Sequence, residues 1–192
     1  MAAAVSQTVV RLRGRDVRFK EGDVVLTRAS SSTVGWLVSF LNQGYSHMGT
    51  VVRIRGELHV VSVCKDPWVD QKGRRWPAGV TCEPLDTLGD PVYDGLWIVS
   101  PRVPRTEAQL ALLRFGAQQM LRSCDHTGST YDGLGEYCAS FFGFASYSLD
   151  RWHCAEQAAV LAKQQGAYPQ HLTASLSIPQ VAAQLGDVRR IF

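Results

Sequence analysis

The hydrophobic positions of this chain fall into short apolar runs, typical of strands, and longer segments with helical spacing. Residues 24–27 and 96–99 are apolar runs bounded by glycine, aspartate or proline, which predicts two buried strands. Residues 48–54 and 58–63 are rich in valine and flank Arg55-Gly56-Glu57, which predicts a β-hairpin. These segments together predict an antiparallel sheet.

Other segments have the spacing of a helix with one apolar face. They are residues 34–42, 106–122, 154–165 and 178–185. With a last strand over 188–192, the pattern predicts the α+β class, an antiparallel sheet with helices before and after it. The length of 192 residues fits a single domain that spans residues 1–192.

Composition and charge are those of an ordinary globular chain. Hydrophobic residues make up 45% and charged residues 19% of the sequence, which allows a sizeable core. The formal net charge of +3 is too small to indicate a nucleic-acid partner. No apolar stretch is long enough to span a bilayer, and the N-terminus lacks the pattern of a signal peptide. We therefore expect cytoplasmic synthesis, and any export would need a signal-independent route.

The cysteines are five in number and are spread along the chain at positions 64, 82, 124, 138 and 154. The number is odd, and no pair has Cys-x-x-Cys spacing, so the pattern argues against a disulfide framework and against a zinc site. We expect no metal and no cofactor. Most of these cysteines should behave as small buried hydrophobic residues.

Cys154 differs from the other cysteines because it begins an alanine-rich segment predicted as a helix. A nucleophilic thiolate needs a lowered pKa and a base within reach. The free N–H groups and the dipole at a helix N-terminus favour the thiolate. The backbone N–H of Cys154 could also donate to an oxyanion.

The candidate base is His47, which follows Tyr45-Ser46 where a valine-rich strand begins. A histidine at that edge of a sheet can present its ring to a helix N-terminus. His153 is adjacent to Cys154 in sequence, but neighbouring helix residues point in different directions. By local chemistry alone, a structural role is the more common case for a lone histidine or cysteine.

Three stretches of the chain resemble the permuted papain-like (NlpC-type) cysteine hydrolases, a superfamily with bacterial, poxviral and lecithin retinol acyltransferase-like members. They are Gly22-Asp23-Val24-Val25-Leu26, Tyr45-Ser46-His47-Met48-Gly49-Thr50-Val51-Val52 and His153-Cys154-Ala155-Glu156. The resemblance covers about residues 21–166, and the histidine precedes the cysteine, as in the permuted form. It implies an α+β, papain-like fold in which an antiparallel sheet or small barrel packs against helices, with the nucleophile at a helix N-terminus.

The resemblance also implies a third catalytic residue, on the strand that follows the histidine strand. Its position falls on Ser62, where many relatives carry glutamate. A turn at Arg55-Gly56 pairs residues whose numbers sum to 111, so that His47 faces Cys64 and Ser62 lies diagonally on the same face. A register slip of two residues would bring Asp66, instead of Cys64, opposite His47. Ser62 can accept a hydrogen bond from an imidazole, but it brings no charge.

What the resemblance implies about function is a cysteine hydrolase, an amidase or peptidase that uses a Cys154 thiolate and a His47 base. Peptide bonds of peptidoglycan are the substrate we favour, and delivery as an antibacterial effector with an immunity or delivery partner is a further hypothesis. Tyr45, Trp152 and His153 are candidate walls of the substrate cleft. The alternatives are an acyltransferase or lipase-like enzyme with the same Cys–His pair, and a non-catalytic binding protein.

Overall fold

A computed structural model of the chain describes residues 7–29, 44–123, 154–164 and 178–192. In these ranges the strands are β1 Gln7–Leu12, β2 Arg15–Lys20, β3 Val24–Ala29, β4 His47–Ile54, β5 Glu57–Cys64, β6 Trp68–Val69, β7 Arg75–Trp76, β8 Gly79–Pro84, β9 Tyr93–Pro101 and β10 Gly186–Arg190. The helices are α1 Glu107–Ser123, α2 Cys154–Gln164 and α3 Ile178–Leu185, with a 3-10 helix at Leu85–Gly89.

Six of these strands form one antiparallel sheet in the order β10-β9-β3-β4-β5-β8. The hairpin of β4 and β5 turns at Arg55 and Gly56, whose φ angles of 50° and 90° are those of a tight hairpin turn. Gly49 pairs with Ser62, and Ile54 pairs with Glu57. The predicted hairpin and its register are therefore confirmed along this stretch.

Side chains alternate across the sheet, so its central strands β3, β4 and β5 contribute to a separate core on each face. On one face, Val25 and Val51 pack with Phe19 of β2 and with Leu85 and Leu88 of the 3-10 helix. The β1–β2 hairpin and the 3-10 helix therefore cover this face. We call it the hairpin face.

The opposite face is covered by the α-helices, and we call it the helix face. Met48 and Leu26 pack there against α2 and α3, in a cluster that includes Cys154. Further along β4, Val52 packs with Leu161 of α2 and Leu113 of α1. The helix α2 therefore lies along the β4 side of the sheet, with Cys154 near the beginning of that strand.

A buried ion pair ties α1 to the sheet. The carboxylate of Glu21 accepts hydrogen bonds from Arg114 at 2.8 and 2.6 Å and from the backbone N–H of Arg53 at 2.9 Å. Thr106 and Gln109 exchange hydrogen bonds at the start of α1, which form a capping box. This helix was predicted over 106–122, and it begins and ends within one residue of that range.

The fold class predicted from the sequence, an α+β permuted papain-like fold, is wrong. In the part of the chain that the structure describes, antiparallel strands predominate, and the sequence pattern missed the β1–β2 hairpin and β8. The hairpin was missed because charged residues alternate with its apolar ones, so it contains no continuous apolar run. The predicted helix over 34–42 lies outside the described residues.

No helix in the described ranges is long and apolar enough to cross a bilayer, in agreement with the sequence.

Glu21→Gln should destabilise the protein by about 3 kcal/mol, because it leaves the Arg114 guanidinium beside a buried neutral group. Glu107→Gln is a matched control, since Glu107 pairs with the same arginine but its side chain is 66% exposed, against 3% for Glu21. The control should cost less than about 1 kcal/mol. Urea denaturation measures both, and equal losses for the two variants would contradict the assigned role of Glu21.

Candidate functional site

Cys154 is the first residue of α2, and its side chain is buried, with 1% of its surface exposed. It packs in the apolar cluster that also holds Met48 and Leu26, and Tyr45 lies against the same cluster. Two effects on the thiol therefore compete. Burial disfavours the thiolate, whereas the free N–H groups and the dipole at the start of the helix favour it.

His47 is the first residue of β4 and lies opposite Thr27 of β3. Its side chain is half-buried, and burial lowers the pKa of the imidazole to about 4. The ring is therefore neutral near pH 7 and keeps one nitrogen able to accept a proton. No other described residue forms a hydrogen bond with this ring.

The two predicted catalytic residues lie towards the same end of β4 but belong to different faces of the sheet. Cys154 packs with Met48 on the helix face. The alternation of side chains places His47 on the hairpin face, with Gly49 and Val51. The imidazole therefore has to approach the thiol around the beginning of β4 rather than across a shared face.

Cys64 is a competing thiol because it lies on the same face as His47. The β4–β5 pairing is observed from Gly49–Ser62 onwards, and its continuation by two residues would bring Cys64 opposite His47. Burial, followed by the nearby charge of Glu83, raises the pKa of Cys64 to about 12. Cys64 is therefore a thiol at neutral pH, which makes it a poor nucleophile.

Ser62, the predicted third residue, is buried on β5 directly opposite Gly49. It thus lies on the face of His47, diagonally across from it, as the predicted register requires. Asp66 follows β5 and is exposed, and the slip that would bring it opposite His47 does not occur. The structure therefore places Ser62, and not Asp66, near His47.

Thr81 and Glu83 of β8 are site residues that the sequence pattern missed. Both are buried on the hairpin face of the sheet, where Thr81 lies directly opposite Ser62 and Glu83 lies opposite Val60. Thr81 Oγ1 donates to Glu83 Oε1 at 2.8 Å, and the Ser62 and Thr81 hydroxyl oxygens lie 3.2 Å apart. Polar residues two apart in an otherwise apolar run could have indicated them, but β8 itself was not predicted.

The predicted cleft residues are described only in part. Tyr45 packs edge-on against Trp97 of β9, with ring centroids 5.0 Å apart, and both rings lie against the cluster that contains Cys154. Trp152 and His153 lie outside the described residues. The described wall of the site is therefore aromatic and formed by Tyr45 and Trp97.

Gln157, one helical turn after Cys154, carries a further polar group that the sequence did not single out. Its side chain is completely buried, and within the described ranges neither its amide oxygen nor its amide nitrogen has a hydrogen-bond partner. An unsatisfied buried amide destabilises a protein by about 1–3 kcal/mol. The first two turns of α2 therefore carry both a buried thiol and an unsatisfied amide.

Replacing His47 by glutamine should weaken the dependence of the free energy of unfolding on pH. The folded-state pKa of about 4 lies below the ordinary value of 6.5, so the unfolded chain binds the proton more tightly. The stability contributed by neutral His47 is present above pH 6.5 and is lost as the pH falls towards 4. Between pH 7 and pH 5 this loss amounts to about 2 kcal/mol.

Urea denaturation at the two pH values measures this loss in the wild type and in His47→Gln. His59→Gln, on the neighbouring strand, is the control and should retain the wild-type loss. An equal loss of stability in His47→Gln and the wild type would show that the imidazole is not desolvated in the folded state.

Comparison with known proteins supplies a fold but no family. No family model matches the chain, and no curated protein matches it. A similar solved structure is the crystal structure of the metalloprotein yiiX from Escherichia coli O157:H7, described as DUF1105. The TM-score is 0.54 at 13% sequence identity, over 90% of this chain and 96% of that one.

The fit of a metal can be tested on this chain's own residues, because the similar protein is described as a metalloprotein. In the ranges that the structure describes, no three His, Cys, Asp or Glu side chains converge to hold an ion. Those residues therefore do not form a metal site by themselves. At this level of identity the comparison shows the fold alone, a mostly β fold like that of the DUF1105 protein, which replaces the predicted papain-like fold.

Proposed function

We propose that this protein is a cysteine-dependent hydrolase that cleaves an amide bond, with Cys154 as the nucleophile and His47 as the base. The observation that carries the proposal is the position of Cys154. It is the first residue of α2, and it packs with Met48, the residue that follows His47 at the beginning of β4. A helix N-terminus and a neutral imidazole are the two components that thiolate chemistry needs.

In the proposed reaction, a bare ring nitrogen of His47 takes the proton from Cys154 Sγ, and the sulfur attacks the carbonyl carbon of the amide. The backbone N–H groups at the start of α2 stabilise the resulting oxyanion. The imidazolium then gives its proton to the nitrogen of the leaving amine, and the C–N bond breaks. Water, deprotonated by His47, hydrolyses the thioester and restores the thiol.

The low pKa of His47 supports its role as a base, because the ring is unprotonated and ready to accept a proton at neutral pH. The burial that lowers this pKa also destabilises the imidazolium that forms during the reaction. A group that stabilises the positive charge would therefore raise the rate.

Peptide amides such as those of peptidoglycan are the substrate class that we favour. Acyl transfer or lipid hydrolysis is the second candidate, and the apolar surroundings of Cys154, with Tyr45 and Trp97 beside it, favour an apolar acyl group. Both candidates use the same thiol and the same base, so only the substrate separates them.

Cys154 should be alkylated by iodoacetamide faster than Cys82 at pH 7. Cys82 is half-buried, and burial followed by the charge of Glu83 raises its pKa to about 11, so it holds almost no thiolate. Peptide mapping of a time course measures the rate at each cysteine. His47→Ala should slow the reaction at Cys154 by about tenfold or more and leave Cys82 unchanged.

Equal rates at Cys154 and Cys82, with no effect of His47→Ala, would contradict the proposal and favour a non-catalytic protein. His59→Ala controls for the loss of a histidine from the sheet.

The protein should release products from peptidoglycan fragments and not from phospholipid vesicles when it is incubated with each separately. We expect release of peptide amines, detected by mass spectrometry. Cys154→Ser should abolish the release, because the serine hydroxyl is a far weaker nucleophile. Cys82→Ser is the matched control and should retain it. Products from phospholipid alone would replace the amidase by the acyl-transfer alternative.

A further inference from the structure

The hairpin face of the sheet contains a chain of buried polar groups that runs from β8 to β5 and towards His47. Glu83 Oε1 accepts from Thr81 Oγ1 at 2.8 Å, and Thr81 Oγ1 lies 3.2 Å from Ser62 Oγ. All three side chains are at most 4% exposed. Such groups form hydrogen bonds that solvent does not weaken.

The directions of the protons in this chain follow from counting donors. Thr81 has a single hydroxyl proton, which it donates to Glu83 in a hydrogen bond. Ser62 must therefore donate its own proton to Thr81. Ser62 Oγ also lies 3.9 Å from Cys64 Sγ, and an oxygen with two lone pairs can accept one further hydrogen bond. The series therefore ends in an acceptor, with the carboxylate of Glu83 behind it.

The Ser62 end of this hydrogen-bonded series lies on the same face of the sheet as His47. Ser62 is opposite Gly49, and His47 is two residues before Gly49 on the same face of β4. A Cβ atom on Gly49 would come within 2.5 Å of Val60 Cγ1 and 3.2 Å of Ser62 Cβ. The side chains of Val60 and Ser62 therefore pack directly against Gly49, and a larger residue at this position would clash with Val60 and displace Ser62.

Other titratable groups surround Glu83. Cys64 Sγ lies 3.9 Å from Glu83 Oε1 and donates to it. Tyr93 of β9 has its pKa raised by burial and then by the charges of Glu83, Cys64 and Asp90. Burial raises the pKa of Glu83 above its ordinary value, and hydrogen bonds from Thr81, Trp68, Thr87 and Cys64 offset only part of this rise. The carboxylate is thus held by donors on several elements.

We propose that Glu83 is a positioning residue for His47 and acts through the hydroxyl groups of Thr81 and Ser62. This inference rests on the proposed function, in which His47 is the base. When the ring takes the proton of Cys154, one ring N–H donates to Ser62, and the charge of Glu83 stabilises the imidazolium. The hydroxyl chain supplies the charge that Ser62 itself lacks.

The rate of Cys154 alkylation by iodoacetamide, measured against pH, tests this role. Glu83→Gln should slow alkylation by about tenfold, because it removes the charge and lets the hydroxyl chain run in either direction. Ser62→Ala, a small change in a buried strand, should slow it to a similar extent. Glu57→Gln, at the exposed start of β5, is the matched control and should react like the wild type.

The double variant Ser62→Asp with Glu83→Gln moves the carboxylate next to His47 and should restore most of the rate. If Glu83 had only a structural role, the carboxylate introduced by Ser62→Asp would not restore the alkylation rate. If His47→Ala slows alkylation but Glu83→Gln and Ser62→Ala do not, the positioning role is wrong and the proposed function stands. If His47→Ala itself has no effect, the proposed function fails, and with it the role of Glu83.

Discussion

The alternation of side chains along β4 is the constraint that decides which face of the sheet each residue of the candidate site occupies. Met48 faces the helices, and Cys154 packs beside it, whereas Gly49 and Val51 face the β1–β2 hairpin and the polar residues of β5 and β8. His47 begins the strand, at the one place where a ring can leave its own face and approach the other. A one-residue shift of this strand would place His47 on the face of Cys154 and would separate it from Ser62.

Burial controls the charges of the site more than any single ion pair does. It lowers the pKa of His47 and raises the pKa values of Cys64, Cys82 and Glu83. Each of these groups is thereby pushed towards its neutral form. The start of α2, where Cys154 lies, is a position at which the backbone itself opposes this trend, because its free N–H groups stabilise negative charge.

The β4–β5 hairpin and the helices α1 and α3 were predictable because their signals are local. Arg55-Gly56 adopts positive φ angles between two valine-rich segments, and the capping box of α1 is visible in the sequence. A second Arg-Gly pair, Arg13-Gly14, also has positive φ angles and forms the turn of the β1–β2 hairpin. Its flanking strands were not predicted, because charged residues alternate with their apolar ones.

The fold class was not predictable from three short motifs. The motifs lie on two strands of one sheet and at one helix start, and they say nothing of the strands that complete the sheet. The proposed role of Glu83 was equally hidden. It depends on the pairing of β5 with β8, which places Thr81 opposite Ser62, nineteen positions away in the sequence. A non-local pairing of this kind leaves no periodic trace in the chain.

The most direct test of the central claim is the ionisation of the Cys154 thiol, followed by the absorbance of its thiolate at about 240 nm as the pH is raised. If Cys154 is the nucleophile, its thiol should show a transition with a midpoint below the ordinary thiol pKa of about 8.5. This transition should be absent in Cys154→Ser and should move to higher pH in His47→Ala. A wild-type protein with no transition below about 8.5, or one that is unchanged in Cys154→Ser, would contradict the assignment of Cys154 as the nucleophile.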